Sequence, residues 1–383
     1  MTTRKIKQLT SLQRPFVISI CRAYCTTATS SALTLAGIVP LHIQAELEAT
    51  YTRVLHLRKD ASFAGTLYSP ALYEHPKTPL HTHPAHKGLG VHTHIMQQPN
   101  KEIQHISNHT LYTDGSKHAE GVGSAFLHCW QSQELHHWKG HLGDSNSVFQ
   151  AEVIAITAAV EYLISRKISK AYLYTDSMSA LLALSKHNHV SPLIIRLQKL
   201  LKDNPQVHVD MTWVKAHEGN AGNEAADVLA KEAASNINAR PIAVPAPPSH
   251  LKRLLKGAAV QWWQRVWEHG NTGRRVYGFL PMVTTERLIA NAPLTNFVTG
   301  HGPFPDYFNR RTISNTDRCV CGEEGTPDHY IFRCPLTEQH HFPEPTNIPA
   351  FHKFILKNKA AINTVCKIVN TIKAYGQDLC LPL

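Results

Sequence analysis

Residues 212–233 read TWVKAHEGNAGNEAADVLAKEA. The approach, 207–214, has the β-branched and aromatic content of a strand. It breaks at 215–217 into a loop carrying Gly219 and Gly222, and a helix is expected from about Asn223. Ala225, Ala226, Leu229, Ala230 and Ala233 supply its small or apolar positions, which allow close approach of another backbone. Asp227 sits near its start. A loop histidine, His217, followed ten residues later by a helical aspartate fits a metal site, a proton shuttle or an ordinary cap. Three acids upstream decide among these.

Asp114 closes a short strand, 111–114, in YTDGS, where Gly115 is expected to let the chain turn sharply. Strands are expected at 121–130 and 134–140, then a helix at 149–166 with Glu152 in its first turns, in FQAE. A strand at 171–175 leads to Asp176 in YTDS, and helices follow at 177–185 and 191–202. The order β-β-β-α-β-α-α-β-α predicts an α/β fold, a mixed five-stranded sheet with flanking helices. With 111–114 beside 171–175, Asp114 and Asp176 emerge together, and Glu152 and Asp227 approach from helices. Taken singly, each acid reads as a cap or a surface charge. Two acids at strand ends, each in a YTD triplet, argue for one shared site. Four clustered carboxylates repel one another unless divalent cations neutralise them. Hard oxygen ligands suit Mg²⁺, and two such ions can clamp a phosphodiester.

The whole chain has 383 residues, 43% hydrophobic and 17% charged, which describes folded domains rather than disorder. A net charge of +11 and a pI near 9.2 favour a polyanionic partner, and no long uncharged apolar run predicts a membrane span. Eight cysteines in a chain this long do not form a dense disulfide framework. Residues 71–105, rich in His and Pro, read as a linker, and His81, His83, His86, His92 and His94 fit no closed tetrahedral set. Residues 237–249 form a Pro-rich linker. Beyond it, Leu251, Leu254, Leu255, Ala258, Ala259 and Trp262 trace an amphipathic helix. Between Arg240 and Arg275 lie seven Lys or Arg and one acid, with Trp262, Trp263 and Trp267 among them. Those tryptophans fit either a core or a stacking surface for single-stranded nucleic acid.

The segments LYTDGS, SVFQAEVIAI, LYTDSMSAL and WVKAHEGNAGNEAADVLAKEA resemble, in order, a type-1 ribonuclease H domain over about 106–236. The resemblance implies a ribonuclease H-like fold and cleavage of the RNA strand of RNA–DNA hybrids to 3′-hydroxyl and 5′-phosphate ends. It implies two Mg²⁺ ions, replaceable by Mn²⁺, held by Asp114, Glu152, Asp176 and Asp227. His217 matches the loop histidine that assists proton movement or product release. Hybrids are read through backbone shape and 2′-hydroxyls. Ser116, Asn146, Gln150, Ser177 and Asn223 are candidates for those contacts, with Asn223 also a candidate helix cap. The Trp-rich basic insertion of some family members is absent after Ser177.

The flanks resemble non-LTR, jockey-like retrotransposon polyproteins. Residues 1–70 look like the segment after a polymerase core, with two helices hinged at 37–40, although their lack of acids before Glu46 also fits a transit peptide. Residues 250–383 look like the helical, basic tail after the ribonuclease H domain. There Cys319, Cys321, His329 and Cys334 can close a Zn²⁺ site, although the Cys-x-Cys gap is tighter than usual. No polymerase YxDD sequence occurs in the chain. A non-catalytic RNA- or hybrid-binding module and an inactive relic exposing apolar helices are the alternatives to a nuclease. An intracellular product, cytoplasmic or nuclear, is expected, without a clear targeting signal.

Overall fold

The computed structural model describes residues 1–75, 109–131, 133–186, 188–216, 219–236, 241–287 and 291–379, together with the backbone of 92–95. The chain divides into two compact units. One comprises Arg53–Ala61 and Tyr68–Arg253, the other Met1–Thr52, Ser62–Leu67 and Leu254–Leu383.

The helices in chain order are α1 (Thr3–Cys21), α2 (Thr29–Ala36), α3 (Leu41–Leu55), α4 (Val148–Ser165), α5 (Met178–Ser185), α6 (Pro192–Asp203), α7 (Ala221–Ser235), α8 (Pro248–His269), α9 (Arg274–Phe279), α10 (Ala292–Thr299), α11 (Pro305–Arg310), α12 (Pro327–Phe332), α13 (Ile348–Lys357) and α14 (Lys359–Leu379). The strands are β1 (Ala61–Phe63), β2 (Thr66–Tyr68), β3 (His92–Ile95), β4 (His109–Lys117), β5 (Val122–Trp130), β6 (Gln133–Leu142), β7 (Lys170–Thr175) and β8 (His208–Trp213).

The expected five strands form one mixed sheet, extended by β3 in the order β3-β8-β7-β4-β5-β6. β4 to β6 make an antiparallel meander, while β7, β8 and β3 run parallel to β4. The short β3 falls within the His/Pro-rich stretch, whose composition predicts no strand. β4 also outruns its expected end. It continues through Gly115 to Lys117, paired with β5. Gly115 makes no turn; a Cβ there would lie 2.8 Å from the Glu152 backbone nitrogen. The glycine is needed because α4 approaches the strand closely.

α4 is the core helix. Ala151, Val153, Ala155, Ile156, Ala159, Val160 and Leu163 are fully buried, and several of them join Leu111, Leu173 and Met211 in the main cluster. It is long and apolar enough to cross a membrane by length and composition, but 56% of it is buried within the protein. A capping box starts it: Ser147 Oγ accepts from the Gln150 amide, and the Gln150 side chain accepts from the Ser147 amide. α7 packs on β5 so closely that a Cβ on Gly123 would lie 1.9 Å from the Ala230 oxygen. That contact explains the alanines of α7: Ala226, Ala230, Ala233 and Ala234 are buried.

In the second unit the amino-terminal helices join the carboxyl-terminal ones. Every residue from Ser31 to Ala36 of α2 is buried. Thr295 Oγ1 donates to the Cys21 oxygen at 2.9 Å, and Thr26 Oγ1 hydrogen-bonds Tyr307 at 2.8 Å. α2 and the inner face of α3 (Ile43, Leu47, Val54) are therefore covered within this chain, whereas Leu12 and Phe16 of α1 stay exposed. The buried face of α8 is Leu251, Leu255, Ala259, Trp263 and Trp267, a strict four-residue repeat. Trp267 donates its ring N–H to the Leu280 oxygen at 2.8 Å. Trp262 packs edge-on against Phe63 and His42. Trp263 and Trp267, each 1% exposed, take the core reading, whereas Trp262 is only half-buried.

Candidate active site

Four elements deliver the acids. In the parallel β4–β7 pair, Thr113 lies opposite Thr175, so Asp114 and Asp176 follow at the same level. The Trp213 ring N–H donates to the Asp176 backbone carbonyl at 2.9 Å and ties the end of β7 to β8. α4 brings Glu152 against Gly115. Each of Asp114, Glu152 and Asp176 offers a carboxylate oxygen, and these three lie within 4.8 Å of one another.

Asp227 stands apart from that close cluster. Its Oδ2 pairs with Lys231 Nζ at 2.7 Å, one helical turn along α7. Asp227 still faces the site, since its charge raises the Asp114 pKa. Lys231 is a site neighbour that motif reading passes over, although its four-residue spacing from Asp227 is a usable signal. His217 lies outside the described residues.

Burial first, then Asp176 and Asp227, push the Asp114 pKa up to about 7, against the lowering effect of the Gly115 amide and Lys231. Burial, then Asp114 and Asp176, raise Glu152 well above the ordinary carboxylate range. Asp114 Oδ2 and Glu152 Oε2 are buried and find no hydrogen-bond partner among the described residues. Unpaired oxygens of crowded acids are costly in a protein interior. Hard divalent cations fit this donor set, because they supply both the missing partners and the missing charge.

The expected hybrid contacts divide. Asn146 and Gln150 are 3% and 1% exposed, and their side chains are consumed by bonds within the protein. Asn223 is buried and is not the cap of α7. Asn220 is, its side chain accepting from the Asn223 amide at 3.2 Å. Ser116 and Ser177 are half-buried beside the two aspartates.

A second set of ligand atoms converges in the carboxyl-terminal region. One atom each of Cys319, Cys321, His329 and Cys334 lies within 4.8 Å of the others. Cys319 and Cys334 approach to 3.6 Å between sulfurs, and Cys321 Sγ lies 3.2 Å from His329 Nε2. The narrow Cys-x-Cys gap closes because Gly322, at φ +91°, turns the chain between the Cys319 carbonyl and the Glu323 carbonyl that accepts from the Cys319 amide.

A mixed sheet with helices packed on it and carboxylates converging just past the last paired residues of β4 and β7 defines a ribonuclease H-like domain. Residues 107–235 match the family model described as RNase H. This part of the chain is thus similar to ribonuclease H domains. Over 95 residues the chain is 32% identical to the retrovirus-related Pol polyprotein from type-1 retrotransposable element R1 of Bradysia coprophila, covering 24% of this chain and 10% of that protein. Over 91 residues it is 32% identical to the putative 115 kDa protein in type-1 retrotransposable element R1DM of Drosophila melanogaster, covering 22% and 9%. The chain thus spans about a tenth of the length of these relatives. Among solved structures, it is similar to RNase H1 from Halobacterium salinarum NRC-1, at 21% identity and a TM-score of 0.28, covering 33% of this chain and 96% of that one. It is also similar to the foamy viral protease-reverse transcriptase in complex with RNA/DNA hybrid, at 18% identity and a TM-score of 0.31, covering 37% and 22%.

Proposed function

We propose that the ribonuclease H domain hydrolyses the RNA strand of RNA–DNA hybrids, with Mg²⁺ as its natural metal and Mn²⁺ as a substitute. The observation that carries this reading is the triad of Asp114, Glu152 and Asp176 with two buried, unpartnered oxygens. When bound, a pair of divalent ions supplies a strongly acidified water and neutralises the charge that gathers on the phosphodiester. Asp114, Glu152 and Asp176 hold that pair. Asp227 completes the set from α7, exchanging part of its bond to Lys231. His217 is assigned the proton transfer at the leaving 3′ oxygen. Ser116 and Ser177 contact the hybrid backbone beside the cut.

The cysteine and histidine cluster we assign to a structural Zn²⁺, since four protein ligands leave no open position for chemistry. Exposed Lys256, Arg265 and Arg274 support weak contact with single-stranded nucleic acid through phosphates alone.

Incubating the full chain with a labelled hybrid, with and without Mg²⁺, tests the reading. Metal-dependent cleavage that disappears in Asp114→Asn is expected. A folded wild-type chain that binds hybrid without cutting it would transfer the weight to a binding module.

A further inference from the structure

The family match covers residues 107–235, yet the compact unit holding the acids extends from Tyr68 to Arg253. Two flanking segments meet there. Tyr73 bridges Ala246 in parallel, the Glu74 amide donates to the Ala246 oxygen at 2.9 Å, and the Ala246 amide donates to the Leu72 oxygen at 2.8 Å. This clasp is fastened to the start of α4 by side chains. Gln150 Nε2 donates to Glu74 Oε1 at 2.5 Å and to the Pro245 oxygen at 3.0 Å. Gln150 Oε1 accepts from the Ser147 amide at 3.1 Å and from Asn146 Nδ2 at 3.0 Å. Asn146 Nδ2 also donates to the Val244 oxygen at 3.1 Å.

Every hydrogen-bonding position of the Gln150 amide is thereby used. The network is buried: Glu74 is 8% exposed, Asn146 3% and Gln150 1%. Ile242 and Val244 close it from the apolar side by packing with Val122, Leu142 and Ala151. A buried carboxylate at the start of a helix is favoured by the amide dipoles there. Gln150 precedes Glu152 by two residues on the same turn, so whatever holds Gln150 fixes where Glu152 stands.

We propose that Glu74 is a positioning residue for Glu152, acting through Gln150, and that the flanks 72–74 and 242–246 complete the catalytic domain. The inference rests on the reading of Asp114, Glu152 and Asp176 as metal ligands. Substituting Glu74 by Ala removes the acceptor for Gln150 Nε2. Substituting it by Gln keeps an oxygen in the same place.

The test uses the full chain, titrated calorimetrically with Mn²⁺ and melted with and without Mn²⁺. Glu74→Ala is expected to weaken Mn²⁺ binding about tenfold, as loss of an orienting partner behind a metal ligand does. It is also expected to shrink the Mn²⁺-induced rise in Tm. Glu74→Gln should restore both to within about twofold of wild type. In hybrid cleavage, the Mg²⁺ concentration for half-maximal rate should rise in Glu74→Ala while the KM for hybrid stays put. A folded Glu74→Ala chain with the wild-type Mn²⁺ titration overturns the proposal, as does a Tm drop of equal size with and without Mn²⁺. Should Glu74→Ala fail to fold, Ala246→Pro breaks the clasp by removing the amide bonded to Leu72. An unaltered Mn²⁺ response in that variant likewise overturns the proposal. A wild-type chain that binds Mn²⁺ but cuts no hybrid counts against the nuclease, and the Mn²⁺ comparison still decides the role of Glu74.

Discussion

Thr113 of β4 and Thr175 of β7 face each other across a parallel pair, and that register sets Asp114 and Asp176 side by side. A shift of one residue would send one of the two aspartates to the opposite face of the sheet. Both threonines are fully buried, which holds the register in place.

The crowding of the acids makes metal-free stability depend on pH. Asp114 is raised to about 7 in the folded chain, chiefly by burial, from an ordinary value of 3.8. Between those values the folded state keeps a proton that the unfolded state has released. The native state binds more protons, so this group's contribution to stability falls as pH rises through that window. With a chelator present, Asp114→Asn should melt above wild type at pH 7, and the gap should close toward pH 4. Melting curves across pH measure it; a gap that widens in acid would contradict the assignment.

Gly115 tests the geometry without touching a ligand. Its added Cβ would meet the Glu152 amide nitrogen at 2.8 Å and Glu152 Cγ at 3.1 Å. Gly115→Ala should push α4 outward, cost about 1–3 kcal/mol of stability, and reduce the Mn²⁺-induced gain in Tm more than the Tm itself. Denaturant unfolding with and without Mn²⁺ reads both effects.

A histidine ladder crosses the sheet toward its other end. His128, 1% exposed, hydrogen-bonds His109 at 3.0 Å and the Tyr162 hydroxyl at 3.2 Å, while His136 stacks on Tyr162. Burial, then His109 and His136, lower the His128 pKa to about 4 from 6.5. The unfolded chain binds that proton first, so stability is complete above about pH 6.5 and drains away toward pH 4. His128→Phe should lose about 1–3 kcal/mol at pH 7 and show a flatter acid limb in urea denaturation. An acid limb as steep as wild type would exclude His128 as its source.

The cysteine cluster predicts one zinc ion per chain by elemental analysis. Cys319→Ser should lower the zinc content and the stability of the unit containing α8 to α14, because a closed site contributes folding energy directly. Hybrid cleavage at saturating Mg²⁺ should survive. Zinc content unchanged in the variant would remove Cys319 from the ligand set.

Much of the site is legible in the amino-acid sequence. The YTD triplets mark Asp114 and Asp176, although only the second stands at a strand end; the helical spacing of Ala151, Ile154, Ala155 and Ala158 places Glu152, and the alanines around Asp227 announce close packing. The signals are local because strand alternation and helical period depend only on neighbours in the chain. Gly115 is the counterexample. Local rules allow glycine to turn, whereas its use here is set by α4, more than thirty residues away. The tryptophans of α8 are ambiguous for a similar reason: a ring that fills a core and a ring that stacks on a base have the same local pattern.

The order of the five central strands and the helices among them, the four acids and the sign of the charge presented to a partner follow from the chain's linear pattern. Folding in three dimensions was needed to turn Asn146 and Gln150 inward, to bring Glu74 to Gln150 across 76 positions, and to join the helices before Thr52 to those after Leu254. Each of these is a pairing of residues far apart in the chain. The free energy that selects such pairings comes from which buried donors find acceptors and which apolar faces meet, and it is settled only once the chain has closed on itself.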